Sequence, residues 1–204
     1  MRHTRLVRRT LTAALLITLG VAAFSGRAGD GAASAVAAAT REGSSPDKFA
    51  PAGEGFSASF PAPPEKVVRE VLHGGSVITL CNYVLNRDGV DYVVSWMGDF
   101  QEELINQPET QNFFYARLAR NMIKSARQGV RENLVIAEQS DIESGGFNGR
   151  RFKFDSPDYV GEMRSYKVGL RFYTAGVFGR KGQSVEREAG RFLDSLVLTE
   201  TAGQ

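Results

Sequence analysis

Cysteine and histidine are nearly absent from this sequence. Its 204 residues include one cysteine, Cys81, and two histidines, His3 and His73. A single cysteine excludes an intrachain disulfide. It lies within the apolar run VITLCNYVL, where a cysteine behaves as a small buried hydrophobe. Structural zinc takes four Cys or His ligands and catalytic zinc usually three protein ligands, so His73 and Cys81, the two candidates beyond the N-terminal segment that holds His3, are too few for either. A Ser-His-Asp triad or a Cys-His pair would have to use His73, which precedes Gly74-Gly75 at an expected hairpin tip.

Nucleotide and catalytic motifs are missing too. There is no G-x-x-x-x-G-K-[ST], no G-x-G-x-x-G after a strand, no G-x-S-x-G elbow and no calcium loop of the D-x-[DN]-x-[DN]-G kind. The glycine-rich GGFNGRR has the wrong spacing for a phosphate cradle. Paired acids remain: Asp155 with Asp158, and Glu102 with Glu103. Two carboxylates ~5–9 Å apart across a cleft suffice for glycoside hydrolysis. Acids are common on solvated loops, however, and that is the plainer reading of these four. No catalytic, cofactor-binding or metal-binding residue is assigned, no cofactor is expected, and the chain is expected not to be an enzyme.

What is present begins with a targeting segment. Arg2, Arg5, Arg8 and Arg9 form a basic start, followed by the uncharged run Leu11 to Phe24. Such a run fits the ~7–15 residues of a signal peptide core and falls short of the ~20 of a membrane span. Ala33-Ser34-Ala35 has the small-x-small pattern of a cleavage site, so residues 1–35 read as a secretory signal cut near Ala35. An uncleaved N-terminal helix acting as an anchor is the alternative, and the only route to a membrane. The lone Cys81 is too far along to carry a lipid anchor. Residues 25–48 are rich in Ala, Gly and Ser and read as a disordered tether, of which 36–48 remain after cleavage. Secreted or periplasmic localisation follows.

The signal also holds the basic excess. Of 25 basic and 23 acidic residues, Arg2, Arg5, Arg8, Arg9, Arg27 and Asp30 fall within it, leaving 20 basic and 22 acidic. The remainder lacks the dense positive charge that nucleic-acid binding needs, so none is expected. Residues 49–200, about 150 in number, suit a single domain with one core.

Within that domain, alternation in GFSASF marks a half-buried strand, ended by Pro61, Pro63 and Pro64. KVVREVLH, SVITLCNYVLN and VDYVVSWMG read as a meander, with turns at Gly74-Gly75 and Asp88-Gly89. After Pro108, Phe114, Leu118, Met122 and Ala126 recur every four residues, widened by Phe113 and Ile123, and predict an amphipathic helix capped near Gly129. Arg117, Arg120, Lys124 and Arg127 fall mostly off that stripe, on a solvated face. NLVIAEQSDIES and RRFKFD are predicted strands, joined by a hairpin turn at Asn148-Gly149. A loop at Ser156-Pro157-Asp158 leads to MRSYKV and RFYTAGVFG, with Gly169 opening a type II′ turn. A last helix is capped by Ser184 and buries Val185, Ala189, Phe192, Leu193 and Leu196.

Three stretches together resemble a known family. GFSASFPAPPEK is similar to the opening strand and Pro-rich turn of PsbP/Mog-type domains, a group that includes DcrB-like envelope proteins. RSYKVGLRFYTAGV resembles their late hairpin and RFLDSL their final helix. Asn148-Gly149-Arg150 sits where such domains carry a Gly-Arg turn. The resemblance implies an α+β fold: an antiparallel sheet of about seven or eight strands flanked by helices, as an α/β/α sandwich. It supplies no catalytic set and implies a binding or assembly module. The expected function is therefore an exported, non-catalytic binding or assembly module of the cell envelope with a protein partner. The alternatives are a carboxylate-dependent hydrolase and a carrier of a small apolar ligand. The binding reading calls for an exposed apolar or aromatic patch, to which Tyr166, Phe172 and Tyr173 are candidate contributors.

Overall fold

The computed structural model describes residues 48–73, 76–98, 100, 102–125 and 135–200. The expected signal and nearly all of the tether lie outside them. In chain order the elements are β1 (Phe56–Ser57), β2 (Glu65–His73), β3 (Ser76–Arg87), β4 (Val90–Gly98), α1 (Glu102–Ile105), α2 (Pro108–Ser125), β5 (Val135–Ser144), β6 (Phe147–Asp155), β7 (Tyr159–Val168), β8 (Arg171–Arg180), α3 (Val185–Asp194) and β9 (Val197–Leu198). Seven strands form one antiparallel sheet in the order β2-β3-β4-β8-β7-β6-β5, and β1 pairs with β9 in a sheet of two. The fold is α+β, as expected.

The central strands β4 and β8 are buried along most of their length because both faces are covered. On one face Tyr83, Val94, Trp96, Tyr173 and Ala175 pack against α3 and the segment from Phe49 to Phe60. On the other, Leu80, Met97 and Phe172 pack with Phe114, Leu118 and Ala119 of α2. The sheet is thus the middle layer of a sandwich. α3 buries Val185, Ala189, Phe192 and Leu193; the three larger side chains contribute roughly 1.5–3 kcal/mol each. Beyond α3, β1 pairs Phe56 with Leu198, and the amide of Ser59 donates to Ser195 Oγ at 2.8 Å, which ties the start of the domain to its end.

Local turn chemistry set much of the topology. Asp88 and Gly89 both have positive φ, 53° and 80°, as a two-residue type I′ turn demands. At the β7–β8 turn Gly169 alone is positive, at 54°, which is the type II′ pattern. Asn148-Gly149 is not a turn. The hairpin closes at Gly145-Gly146, with φ of 60° and 83°, and Ser144 pairs with Phe147. Two adjacent glycines take two positive φ angles with no steric cost, and they outcompete Asn-Gly three residues later. Gly149 serves a different purpose. A Cβ on it would lie 2.4 Å from the Ser165 carbonyl oxygen and 2.5 Å from Tyr166 Cδ1. It is a glycine so that the Tyr166 ring can lie across β6. Gly149→Ala is expected to cost about 1–3 kcal/mol by overpacking, measured by urea unfolding; an unchanged midpoint would show that β6 and β7 can separate freely.

Three smaller expectations also change. Ser184 occupies the N-cap position of α3 but its side chain makes no capping hydrogen bond; Glu188 N–H bonds the Ser184 carbonyl at 2.9 Å instead. Phe113 is 49% exposed rather than part of the α2 core stripe. GFSASF keeps its alternation, with Phe56, Ala58 and Phe60 buried, yet contributes to the two-stranded sheet and not to the main one. The side chains of Met122 and Ile123, and residues Ala126 and Gly129, fall outside the described residues.

Candidate functional site

A buried polar cluster sits where the N-terminal segment meets the face formed by β2, β3, β4 and β8. Strand alternation places Lys66 and Val68 of β2, Val77, Thr79, Cys81 and Tyr83 of β3, Trp96 and Gly98 of β4, and Arg171 and Tyr173 of β8 on one face. Glu54 descends onto that face from the loop before β1. Its residue is almost fully buried. Lys66 Nζ donates to its Oε1 at 2.6 Å, and Trp96 Nε1 donates to its Oε2. Tyr173 Oη donates to the Glu54 carbonyl at 2.9 Å. The Lys66 ammonium also lies 5.5 Å from the centre of the Tyr83 ring.

Burial alone would push the Glu54 carboxyl up, but hydrogen bonds from Lys66, Trp96 and Tyr83 outweigh it and hold the group below its ordinary value. The hydrogen bond to Glu54 raises Lys66 in turn. Burial, with the nearby Glu54 charge, pushes the Cys81 thiol up, so it is a thiol and not a nucleophilic thiolate. Tyr83 is pushed up to about 12 by burial. No group here is tuned toward neutrality as acid-base catalysis requires. The cluster is a latch that holds Glu54 over the sheet.

Outside the latch the face stays open. Arg171 lays its guanidinium over Trp96, 4.4 Å from the ring centre. Val68 and Val77 are 53% and 51% exposed on the same face. These two valines are exposed apolar residues at this corner, and none of the residues named from the sequence contributes to it. Tyr166, Phe172 and Tyr173 are all buried in the cores.

The candidate acids are not assembled into a cleft. Asp155 is ion-paired with Lys181 at 2.6 Å, and that hydrogen bond draws its carboxyl down. Asp158, Glu102 and Glu103 are exposed. The two pairs lie on different elements and share no hydrogen bond or ion pair. Cys81 is buried, and the His73 side chain lies outside the described residues. Among the described residues no group of three or more His, Cys, Asp or Glu is placed to hold a metal, and no helix is long and apolar enough to cross a membrane. Between sheet and α2, Leu80, Met97, Leu118 and Phe172 help to line a cavity of about 20 Å3, room for a water or so.

No family model and no curated protein matches the chain. Among solved structures it is similar to a cyanobacterial PsbP, CyanoP from Synechocystis sp. PCC 6803, determined in solution. Identity is 8%, the match covers 74% of this chain and 91% of that one, and the TM-score is 0.47.

Proposed function

We propose that this domain is a non-catalytic binding or assembly module, exported to the cell envelope, that engages a protein partner. The observation that carries this reading is the open corner of the sheet, where exposed Val68 of β2 and Val77 of β3 share a face with an Arg171 guanidinium stacked on Trp96. Aromatic and Arg anchors beside small apolar surface are the usual makings of an interface centre. A hydrolase needs a carboxyl raised toward neutrality, and the perturbed carboxyls Glu54, Glu138 and Asp155 are all drawn down. A carrier of an apolar ligand needs ~300 Å3 or more, against about 20 Å3 between sheet and α2.

Photo-crosslinking from the corner tests the reading. Full-length protein carrying Val77→benzoylphenylalanine, expressed in its own cells, is expected to yield a discrete adduct in the envelope fraction. The same probe at exposed Asn112 of α2 serves as the control. No adduct specific to position 77 would count decisively against a partner at this corner, and an adduct confined to the cytosol would remove the envelope assignment.

A further inference from the structure

The two edges of the large sheet are built differently. β2 and β5 end it, so each presents backbone N–H and C=O groups with no neighbouring strand among the described residues. β5 carries the usual protections. Its register with β6 shifts between Ile136 and Glu138, and its charged residues, Glu138, Asp141 and Glu143, are all acidic. A second β5 laid beside it would set acids against acids or against neutral side chains. β2 has neither protection. It is nine residues long, contains no proline, and pairs with β3 without a shift from Glu65 opposite Val84 to His73 opposite Ser76. Its charges are of both signs: Glu65 and Glu70 against Lys66 and Arg69.

The sequence of β2 is complementary to itself. Two copies related by a twofold axis normal to the sheet pair antiparallel, and directly opposite residues point to the same face. Opposite residues are then both even-numbered or both odd-numbered. That rule excludes the register that would oppose Glu65 to Glu70 and Lys66 to Arg69. Centred on Val68, the pairing sets Lys66 of each copy opposite Glu70 of the other, on the face that Val68 shares. Centred on Val67, it opposes Glu65 to Arg69. Centred on Lys66 or on Arg69, it makes a cation face its own copy. Exposure decides between the first two. Val68 is 53% exposed and Val67 is half-buried. The first register covers Val68 with the Val68 of the second copy, whereas the second register sets it against Lys66. Glu70 is exposed and makes no hydrogen bond or ion pair among the described residues. Lys66 is bonded to Glu54, but an ammonium has three donors and the side chain is 47% exposed, so it can hold a second carboxylate. Opposite charges and paired β-branched residues directly across a sheet are stabilising combinations.

We propose that β2 is a homodimerisation edge. Two copies of the chain join there by antiparallel pairing centred on Val68, with a Lys66–Glu70 pair on either side of the axis, and their large sheets become one. The pairing uses the backbone of the edge and leaves Val77 and Arg171 on the open face, so it stands apart from the binding reading above.

Sedimentation velocity of the full-length protein over a concentration series tests it. A monomer–dimer equilibrium is expected. Glu70→Lys sets like charges opposite Lys66 twice per dimer and is expected to weaken association about ten-fold or more. Glu65→Lys makes the same change in net charge but lies opposite Val71, and is expected to shift the constant by less than about two-fold. Register is read by disulfide formation in a Cys81→Ala background, which removes the cysteine paired with Val68 across β2 and β3. Val68→Cys is expected to link two copies on oxidation, because opposite Cα atoms lie ~4.5–5.5 Å apart, within reach of a disulfide. Val67→Cys is expected not to. A monomer at every concentration up to a few hundred micromolar overturns the proposal. A dimer that Glu70→Lys leaves intact is joined elsewhere and overturns it too. A dimer weakened by Glu65→Lys and linked through Val67→Cys pairs in the other register and overturns the centring on Val68. If the Cys81→Ala background does not fold, the two charge variants decide.

Discussion

Phe172→Ala is expected to remove about 3–5 kcal/mol of stability, a large share of the ~5–15 kcal/mol that holds a typical domain. Phe172 is 1% exposed. Its ring touches three others, with centroids 5.9 Å from Phe100, 5.2 Å from Phe114 and 5.4 Å from Tyr115. These contacts join α2 to the sheet, so truncation leaves a hole where that helix docks, and the cost includes the cavity as well as the lost transfer energy. Urea unfolding read by far-UV circular dichroism measures it. The control is Phe113→Ala one residue before Phe114, where the ring is half exposed under Arg117 and the expected loss is within about 1 kcal/mol. Comparable losses at 113 and 172 would mean that the helix is seated on a different face.

That contrast also shows what a periodic sequence conceals. Phe113 and Phe114 both suit an amphipathic stripe, and a period of 3.6 does not say which of two adjacent residues faces the core. The sheet was far easier to read. β2, β3 and β4 announce themselves through β-branched and aromatic residues between Asp88-Gly89 and other turn signals, because hairpins are local and their turns depend on a few φ angles. The β5–β6 hairpin had two competing glycine signals; the pair of positive φ angles falls at Gly145-Gly146, and the reason Gly149 is a glycine, the Tyr166 ring two strands away from β5, cannot be seen in the stretch SGGFNGR itself. The pairing of Phe56 with Leu198 joins opposite ends of the domain through two residues each, too short to leave a pattern.

The candidate site was less legible still. Glu54 stands in the loop sequence PAGEGF and looks like any solvated acid; only the fold brings Lys66 and Trp96 to it. Gly98 reads as a strand end, and only with β4 and β8 side by side does it show that a Cβ there would lie 3.0 Å from Arg171 Cγ. Tyr166, Phe172 and Tyr173 looked available for an interface because aromatics favour both interfaces and cores. They are core residues because β7 and β8 lie inside the sheet with both faces covered.

Glu54→Ala is the substitution that should disturb the corner without touching its exposed residues. The loss is expected to be about 2–3 kcal/mol, the scale of hydrogen bonds to a charged group together with a buried donor left unpaired, since Trp96 Nε1 loses its acceptor. Glu54→Gln keeps an acceptor for Trp96 and should lose less. The pH dependence separates the charge from the contact. The Glu54 carboxyl is lower in the folded protein than its ordinary value of 4.5, so the folded state binds fewer protons than the unfolded state between those two values. Its stabilising contribution is therefore complete above about pH 4.5 and is lost as pH falls through the folded value. The gap in urea midpoint between the unaltered protein and Glu54→Gln should be widest near neutrality and should shrink below pH 4.5. Comparing the two proteins at each pH removes the contributions of Glu138 and Asp155, which are also drawn down but are common to both. A gap that stays constant down to pH 3 would show that the carboxylate charge contributes nothing, and that the loop before β1 is held by Tyr173 and the β1–β9 pairing alone.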